Sequence, residues 1–401
     1  MVDLNNVSYK KLVSLLLALA VVIMTVAGCG EKNTADKDAS QHGSGTSSYA
    51  EIVVNDESPV GIRLAQLGDN VSLHTPIQSE YLRDKYDMIS AYAFGTSELS
   101  HSGKVELTWD AKAKEGVTID SYIVRFGTKN DLSDAVEATV TEPKYDVRNL
   151  LLGQKYYWSV TAVCGGEKYE SDIASFTTET KGPRCLYVDG ITNVRDTGGW
   201  QTESGGTVKQ ELLYRCGRLN KSGSTEIEIT DKGIKTMLVD MGVKTEIDLR
   251  GGASDKNESG NIKESPLGAS VKYYHIPMNY EGNILNINSK PIRQCFEILA
   301  DEKNYPVIYH CSIGTDRTGM LAFLLNGLLG VSEEDLYRDY LYSNFGNIGG
   351  SRDTSAIASY ISIVRGDRTD KLSDCIYDYL LSIGVKKEQI ESVKRILGPQ
   401  S

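Results

Sequence analysis

The sequence has few cysteines and no extended basic segment. Seven cysteines among 401 residues are too few for a disulfide scaffold. The chain carries 43 basic and 54 acidic side chains, a net charge of −11, and an acidic surface repels a phosphate backbone, which disfavours nucleic-acid binding. Apolar residues make up 40% and charged residues 24% of the chain, a composition typical of globular proteins rather than disordered ones. The length predicts two or three domains.

The N-terminal segment is predicted to direct the chain to a membrane. Lys10 and Lys11 precede an uncharged apolar run over residues 12–28, and this order is typical of an export signal. The run ends in Val-Ala-Gly before Cys29, which resembles the lipobox of bacterial lipoproteins. The resemblance implies a signal peptide over residues 1–28 and an acylated Cys29, since two or three acyl chains hold a protein on a membrane. The alternative is an uncleaved signal anchor, and both place the rest of the chain outside the cytoplasm, at the bacterial cell membrane.

The next two segments give weaker signals. Residues 29–50 contain almost no apolar side chains. Such a composition cannot bury enough surface to offset the entropy of ordering the chain, which predicts a flexible tether. Residues 51–100 show no pattern specific enough for an assignment.

Residues 101–180 contain short runs in which apolar and polar side chains alternate, separated by turns. This pattern predicts an all-β, immunoglobulin-like sandwich. Leu-x-Trp at residues 107–109 and Leu-x-x-Gly-x-x-Tyr-x-x-x-Val-x-Ala at residues 150–162 resemble the fibronectin type III family. The resemblance implies that Tyr156 forms the tyrosine corner of that fold. The sandwich is either a spacer or a module that binds a protein or glycan, and the fold alone does not decide between them.

Residues 184–400 alternate between predicted helices and strands. This alternation favours an α/β domain with a central, mostly parallel sheet flanked by helices. The predicted helices cover residues 231–241, 291–302, 319–330 and 333–344, and the predicted strands cover residues 243–249 and 307–309. Thr230 is a suitable N-cap for the first of these helices, and Gly242 is a suitable residue to end it.

One segment combines the end of a buried strand, a loop and the start of a helix: His-Cys-Ser-Ile-Gly-Thr-Asp-Arg-Thr-Gly, residues 310–319. Backbone N–H groups in such a loop cradle an anion, and the helix dipole favours negative charge there. The same field lowers the pKa of Cys311, and Arg317 can grip two phosphate oxygens at once. Because the Gly-Lys-Ser/Thr ending of a nucleotide-binding loop is missing, nucleotide binding is not predicted.

This segment resembles the signature of the cysteine-dependent protein tyrosine phosphatases, and in particular of secreted bacterial members whose general acid lies inside the loop. Further motifs of that group occur in order at residues 193–199, 214–219, 246–250 and 275–277. The resemblance implies that Cys311 attacks phosphorus and forms a phosphocysteine intermediate. It also implies that the N–H groups of residues 312–317 and the Arg317 guanidinium stabilise the transferring phosphoryl group, with no metal and no other cofactor.

The resemblance assigns further roles within the loop. The expected substrate-binding residues are Ser312, Ile313, Gly314, Thr315, Thr318 and Gly319. The Thr318 hydroxyl can donate a hydrogen bond to the thiolate and so make it a better leaving group in the second step. His310 is expected to orient the backbone of the cysteine. Relatives often carry a lysine where this chain has Thr315, and the missing positive charge weakens a preference for inositol phosphates or phosphoinositides.

The general acid has two candidates. The resemblance implies that Asp316 protonates the leaving phenolate oxygen and then helps a water molecule attack the intermediate. A plainer interpretation makes Asp316 a salt-bridge partner that fixes an arginine. Most of the wider superfamily carries an aspartate on a separate loop before the cysteine, where this chain has residues 278–282, Met-Asn-Tyr-Glu-Gly. That segment contains no aspartate, but Glu281 remains a rival.

Several other residues have two interpretations. Arg195 and Asp196 either approach the substrate phosphate, as the resemblance implies, or form a buried ion pair. Asp248 and Arg250 are interpreted as structural. Three tyrosines on one predicted helix could line the pocket or only pack: Tyr337, Tyr340 and Tyr342. The cysteines without an assigned role show no metal-binding spacing, and most are expected to be buried and reduced: Cys164, Cys185, Cys216, Cys295 and Cys375.

The leading hypothesis is a lipid-anchored, extracytoplasmic phosphatase for phosphotyrosine in proteins or peptides, with phosphoserine and phosphothreonine as further substrates. One alternative is a phosphatase of inositol phosphates or phosphoinositides. Another is a non-catalytic adhesion lipoprotein with a decayed phosphatase domain. The catalytic side chains expected by resemblance are all present, which argues against decay. The expected partners are the phosphorylated substrate, the membrane and a protein or glycan on the sandwich, without nucleic acid.

Overall fold

The computed structural model describes residues 52–220, 228–251 and 263–399. The predicted signal peptide, the tether and Cys29 lie outside these ranges. From Ile52 onward the chain forms one compact unit. Within the described ranges, no helix has the length and apolar character needed to cross a membrane.

The first part is a β-sandwich, as the sequence predicts. Its strands are β1 (Val60–Leu64), β2 (Gly68–Val71), β3 (Val105–Ala113), β4 (Ser121–Gly127), β5 (Val136–Val140), β6 (Lys144–Val147), β7 (Lys155–Cys164), β8 (Glu167–Glu170) and β9 (Ala174–Thr178). One sheet has the order β1-β3-β6 and the other β2-β9-β7-β4-β5, with β8 paired to β7. Alternate side chains of β3 and β7, including Trp109 and Trp158, fill the core between them. The Tyr156 hydroxyl accepts a hydrogen bond from the Leu151 N–H at 2.9 Å, which confirms the tyrosine corner.

The segment that the sequence left unassigned divides between the two parts of the fold. Strands β1 and β2 complete the sandwich, where β1 pairs antiparallel with β3 and β2 pairs parallel with β9. Residues 72–101, which we call the accessory segment, then leave the sandwich and pack on the α/β part. This segment contains helix α1 (Pro76–Arg83) and a 3₁₀ turn (Tyr86–Ala91), and its Tyr81 is fully buried in the α/β core.

The second part is built on a five-stranded sheet of order β10-β11-β14-β12-β13. Its strands are β10 (Arg195–Asp196), β11 (Leu213–Cys216), β12 (Thr245–Asp248), β13 (Lys272–His275) and β14 (Val307–His310). All neighbours are parallel except β10 and β11, which confirms the mostly parallel sheet. Every residue of β11, β12 and β14 is buried. The carboxyl end of β14 therefore opens into a site with rigid strands on both sides.

Helices cover this sheet. They are α2 (Asp231–Lys235), α3 (Ile284–Ile287), α4 (Ser289–Leu299), α5 (Asp316–Leu328), α6 (Glu333–Leu341), α7 (Ser355–Arg365), α8 (Leu372–Ser382) and α9 (Lys387–Leu397). The Thr230 side chain accepts from the Gly233 N–H, as predicted for an N-cap. A π-helical turn (Thr236–Asp240) continues α2, so the predicted single helix is two elements.

The start of α5 differs from the prediction. The sequence predicted a helix from Gly319, whereas α5 begins at Asp316. The Gly319 N–H donates to the Thr315 carbonyl at 2.6 Å and closes the first helical turn. Asp316, Arg317 and Thr318 therefore stand on a helix N-terminus instead of a free loop.

Candidate active site

The catalytic loop, residues 311–315, connects β14 to α5. Gly314 has φ +72°, and a Cβ at this position would lie 2.5 Å from the carbonyl carbon and oxygen of Cys216 on β11. This backbone conformation and close approach exclude any side chain larger than hydrogen. The loop is thereby pressed against the neighbouring strand.

Two side chains hold the outer face of this loop. The Asn193 side-chain amide donates to the carbonyls of Ile313 and Gly314, both at 3.1 Å. The Arg215 guanidinium donates to the Gly314 carbonyl at 2.9 Å. Since a trans peptide places its N–H opposite its carbonyl, holding the carbonyls outward turns the N–H groups toward the inside of the loop. The sequence motifs contained both residues, but their spacing alone did not reveal this bracing role.

The surroundings of the Cys311 thiol favour its ionised form. Burial by itself raises its pKa, but the Arg317 charge and the hydroxyl and N–H of Thr318 lower it further, and the pKa lies below its ordinary value. Among the described residues, the buried Thr318 hydroxyl has no other hydrogen-bond partner, so its proton is available to the sulfur. A lowered pKa provides the thiolate that phosphoryl transfer to sulfur requires.

Arg317 lies beside the thiolate on the first turn of α5. Its side chain is nearly fully buried, its guanidinium carbon lies 5.1 Å from the centre of the Tyr280 ring, and Nη1 is 3.5 Å from the Leu249 carbonyl. The arginine is therefore positioned from two sides. A guanidinium in a site shielded from water acts strongly on a phosphate.

Asp316 stands at the rim of the loop in contact with two residues that the sequence did not pair with it. Its carboxylate receives hydrogen bonds from the Tyr340 hydroxyl at 3.1 Å and from Arg352 Nε and Nη2 at 3.0 and 3.2 Å. A quarter of the Asp316 side chain remains exposed. The position of Asp316 is compatible with both interpretations. It follows the catalytic loop directly, as a general acid would, and it also forms an ion pair with an arginine.

Glu281, the rival candidate for the general acid, lies next in sequence to a residue that contacts Arg317. It is exposed and follows Tyr280, the residue whose ring faces Arg317. Of the three tyrosines considered for the pocket wall, Tyr340 is the one whose hydroxyl bonds to Asp316. Tyr337 stacks on Tyr86 of the accessory segment at 4.7 Å between ring centroids, and Tyr342 is completely buried.

A buried ionic network supports the strand end beneath Cys311. His310 Nδ1 lies 3.1 Å from the Cys311 carbonyl and Nε2 lies 3.0 Å from Glu246, which confirms the expected orienting contact. Burial lowers the pKa of His310, but Asp248 and Glu246 raise it more. Asp248 forms a 2.7 Å ion pair with Arg250, in agreement with a structural role. The side chains of Glu246, Asp248 and His310 offer metal-ligand atoms within 4.8 Å of one another, but these atoms already bond to protein partners.

The expectation that Arg195 and Asp196 contact substrate is not supported by the geometry. Both are fully buried, and they point to different partners instead of each other. Arg195 pairs with Asp339 at 3.3 Å, and Asp196 pairs with Arg184 at 2.8 Å. Arg184 also donates to the Leu150 carbonyl of the sandwich at 2.9 Å, so the Asp196 pair joins the sandwich to the sheet. Each of the two charges is therefore paired with a residue outside the catalytic loop.

The six cysteines of the described ranges are all free and buried, as expected: Cys164, Cys185, Cys216, Cys295, Cys311 and Cys375. Burial raises the pKa of Cys216 and of Cys295. Cys311 differs from Cys216 and Cys295 because its pKa is lowered.

Sequence comparison matches this arrangement to known proteins. A sequence model described as "Tyrosine phosphatase family" matches residues 186–395, just over half of the chain. The chain belongs to the tyrosine phosphatase family. This phosphatase also matches a model described as "Fibronectin type III domain" over residues 95–177.

Individual relatives of this phosphatase are distant. A candidate tyrosine-protein phosphatase of Cupriavidus necator is 27% identical over 199 residues, which cover 47% of this chain and 73% of the relative. A tyrosine-protein phosphatase of Nostoc commune is 28% identical over 134 residues, 28% of this chain and 46% of the relative. The catalytic core of a PP-IP phosphatase from S. cerevisiae is 18% identical with a TM-score of 0.28, covering 49% of this chain and 96% of that structure.

Proposed function

We propose that this phosphatase hydrolyses phosphotyrosine in proteins or peptides through a phosphocysteine intermediate. The observation that carries the proposal is the setting of Cys311, a thiol whose pKa is lowered by the Arg317 charge and by Thr318, in a loop that Asn193 and Arg215 brace. Membership of the family supports a phosphatase hydrolase. Phosphoserine and phosphothreonine are proposed as further substrates.

The proposed first step forms a phosphorus–sulfur bond. The Cys311 thiolate attacks phosphorus while the bond to the phenolic oxygen breaks, and Asp316 gives its proton to that oxygen. The inward N–H groups and Arg317 hold the three phosphoryl oxygens as charge spreads over them. For this step the Asp316 carboxyl must be protonated, so its pairing with Arg352 has to loosen when the substrate arrives.

The proposed second step hydrolyses the phosphocysteine and regenerates the free enzyme. Asp316, now a carboxylate, takes a proton from a water molecule as the water oxygen attacks phosphorus. The phosphorus–sulfur bond breaks, inorganic phosphate leaves, and the Thr318 hydroxyl stabilises the departing thiolate. In this step the contacts of Asp316 with Arg352 and Tyr340 hold the carboxylate at the edge of the loop where water enters.

The interior of the loop favours a single phosphate over a polyphosphorylated ring. Thr315 is fully buried, and its hydroxyl takes part in hydrogen bonds with the Asn193 amide and the Ile313 carbonyl, both at 3.4 Å. The position where relatives often carry a lysine is therefore occupied by a neutral side chain whose hydroxyl contacts Asn193 on the outer face of the loop. This supports phosphotyrosine over inositol phosphates.

We further propose that Cys29 is acylated and anchors the phosphatase outside the cytoplasm, at the bacterial cell membrane. The support is the sequence pattern of residues 10–29 alone. An exported, anchored enzyme would act on phosphorylated proteins or peptides at the cell surface, and the sandwich would act as a spacer or a second binding module.

The proposed activity is tested by comparing the wild type with Cys311→Ser. We expect the wild type to release phosphate from a phosphotyrosyl peptide faster than from phytate, and the variant to bind the peptide without turnover. Capture of a phosphorus–sulfur adduct by rapid acid quenching should succeed only with the wild type. An active Cys311→Ser enzyme would contradict the mechanism, and faster release from phytate would contradict the substrate class.

A further inference from the structure

A cavity of about 630 Å³ opens beside the catalytic loop. Its walls come from the accessory segment and from four loops of the α/β part, with contributions from Glu98, His101, Thr192, Arg218, Ile313 and Asn347. Ile313 belongs to the catalytic loop as well. One lining residue is therefore only two positions in sequence after the proposed nucleophile, Cys311. Other lining residues, Glu98 and His101, precede residues 186–395, the region that matches the family.

Two buried polar atoms in the wall of this cavity have no hydrogen-bond partner among the described residues: Thr192 Oγ1 and His101 Nδ1. Thr192 is only 4% exposed. A buried polar group without a partner costs folding free energy, so folded proteins rarely leave one unmatched. Thr192 and His101 therefore bring unused hydrogen-bonding capacity to this wall, which a ligand with its own donors and acceptors could use.

The other residues of the lining favour a peptide over a second phosphate group as the ligand of this cavity. Ile191, Ile313 and Ile348 give the cavity an apolar wall, and Glu98 adds a carboxylate. Arg218 would suit a phosphate, but the Glu98 carboxylate repels one. The combination fits an extended main chain with an apolar side chain.

We propose that this cavity binds the main chain of a peptide substrate next to the phosphorylated residue, with a flanking apolar side chain against Ile313 and Ile348. The inference depends on the proposed phosphatase activity and specifies its substrate. An extended peptide advances about 3.3 Å per residue, so residues that flank a phosphorylated side chain in the catalytic loop pass over its rim. There the peptide N–H and carbonyl groups pair with His101 and Thr192.

The test compares two substrates of the full-length protein. p-Nitrophenyl phosphate fills the catalytic loop alone, whereas a phosphotyrosyl peptide with apolar neighbours also reaches the cavity. Asn347→Trp places bulk in the cavity from an exposed position, and Thr192→Val removes a hydroxyl at nearly constant volume. The matched control is Thr245→Val, which removes another buried hydroxyl without a partner from strand β12, away from the cavity.

The measured quantity is the ratio of kcat/KM for the peptide to kcat/KM for p-nitrophenyl phosphate. We expect this ratio to fall about fivefold in Thr192→Val, the size of one lost hydrogen bond, and further in Asn347→Trp. We expect Thr245→Val to keep the wild-type ratio, and the melting temperatures of all variants to show that they are folded.

Three results would overturn the inference. An unchanged ratio in Asn347→Trp and Thr192→Val refutes the cavity while leaving the phosphatase intact. A loss of phytate hydrolysis in Asn347→Trp without a loss of peptide hydrolysis assigns the cavity to a second phosphate. Hydrolysis of none of the substrates by the wild type refutes the proposed function and the cavity together.

Discussion

The Ser100 hydroxyl accepts a hydrogen bond from the backbone N–H of Asn193 at 2.8 Å. Ser100 lies in the accessory segment, before the sandwich strands β3–β9, whereas Asn193 braces the catalytic loop through the carbonyls of Ile313 and Gly314. Asn193 has φ +61°, a left-handed conformation that few residues other than glycine adopt. The accessory segment thus stabilises the backbone of the residue that shapes the phosphate site.

We expect Ser100→Ala to weaken this bracing. Leaving the buried Asn193 N–H without a partner costs about 1–3 kcal/mol, and part of that cost falls on the geometry of the loop. kcat/KM for p-nitrophenyl phosphate should fall about tenfold, and inhibition by vanadate should weaken in parallel. Ser102→Ala is the control, because Ser102 is equally buried but bonds to Asn149. A lower melting temperature with unchanged vanadate inhibition would show that Ser100 is only structural.

The lowered pKa of Cys311 predicts how its alkylation depends on pH. The thiolate is the form that reacts, so inactivation by iodoacetamide should level off at a pH below about 8.5, the usual thiol value. Arg317→Met removes the charge that lowers this pKa and should move the curve to higher pH. Mass spectrometry should find the label on Cys311. Identical curves for the wild type and Arg317→Met would contradict the assigned cause.

Asp316 and Glu281 can be separated by the leaving group. If Asp316 is the acid, Asp316→Asn should lose about 10²–10⁴ in kcat with a poor phenolic leaving group, the usual contribution of a general acid. The loss should be much smaller with p-nitrophenol, which needs little protonation. Glu281→Gln is the matched variant. A leaving-group dependence confined to Glu281→Gln would transfer the role of acid to the glutamate.

Arg352 provides a second measure of the same acid. Arg352→Met removes the ion pair with Asp316 but leaves the hydrogen bond from Tyr340. We expect hydrolysis of the phosphocysteine to slow several-fold, because the carboxylate is no longer held at the edge of the loop. Stopped-flow burst kinetics separate the formation of the phosphocysteine from its hydrolysis. A loss of rate confined to the first step would assign Arg352 to substrate contact instead.

His74 makes the stability of the contact between the accessory segment and the chain after strand β9 depend on pH. It lies 2.8 Å from Glu179 and 2.8 Å from the Pro183 carbonyl. Burial lowers its pKa, but hydrogen bonds with Cys185 and Glu179 raise it more, to about 10. The stabilising contribution is therefore complete below about pH 6.5 and is lost as the pH rises toward the folded-state value.

We expect the melting temperature of the wild type to fall more than that of His74→Gln between about pH 6 and about pH 9. A difference of a few degrees is expected, since about 1 kcal/mol shifts the melting temperature by roughly 2–4 °C in a protein of this size. Calorimetry at a series of pH values measures it. Parallel pH profiles for the two proteins would show that His74 is not charged in the folded state.

Acylation of Cys29 is tested in cells. We expect the wild type to incorporate a labelled fatty acid and to fractionate with membranes, and Cys29→Ala to do neither, because the sulfur is the attachment atom. An unlabelled wild type that still fractionates with membranes would favour the uncleaved signal anchor. Recovery of the wild type in the soluble cytoplasmic fraction would contradict both interpretations.

The catalytic segment could be predicted because its chemistry is local. Cys311, Arg317 and Thr318 lie on one loop and one helix start, and their spacing along the chain sets their positions. The tyrosine corner at Tyr156 is local in the same way, since its hydroxyl bonds to a residue five positions earlier. Even here the helix began at Asp316 instead of Gly319, because the closing hydrogen bond depends on how the loop enters the helix.

The bracing and pairing of the site could not be predicted, because these contacts join residues far apart in sequence. Ser100 and Asn193 are separated by 93 positions, and Arg352 and Asp316 by 36. Arg195 and Asp196 show the same limit. Their position in a family motif left substrate contact and a buried ion pair both open, and only the structure shows that each is buried against a distant partner, Asp339 or Arg184.

The amino-acid sequence by itself determined the order of the parts, the sandwich pattern, the mostly parallel α/β arrangement and the nucleophilic loop, because each depends on short-range periodicity or spacing. Only the tertiary structure decided that the accessory segment joins the α/β core, that Asn193 and Arg215 hold the loop, and that Asp316 pairs with Arg352 and Tyr340. The physical reason is packing. Which buried polar groups become neighbours depends on how whole sheets and helices come together, and no local pattern encodes that.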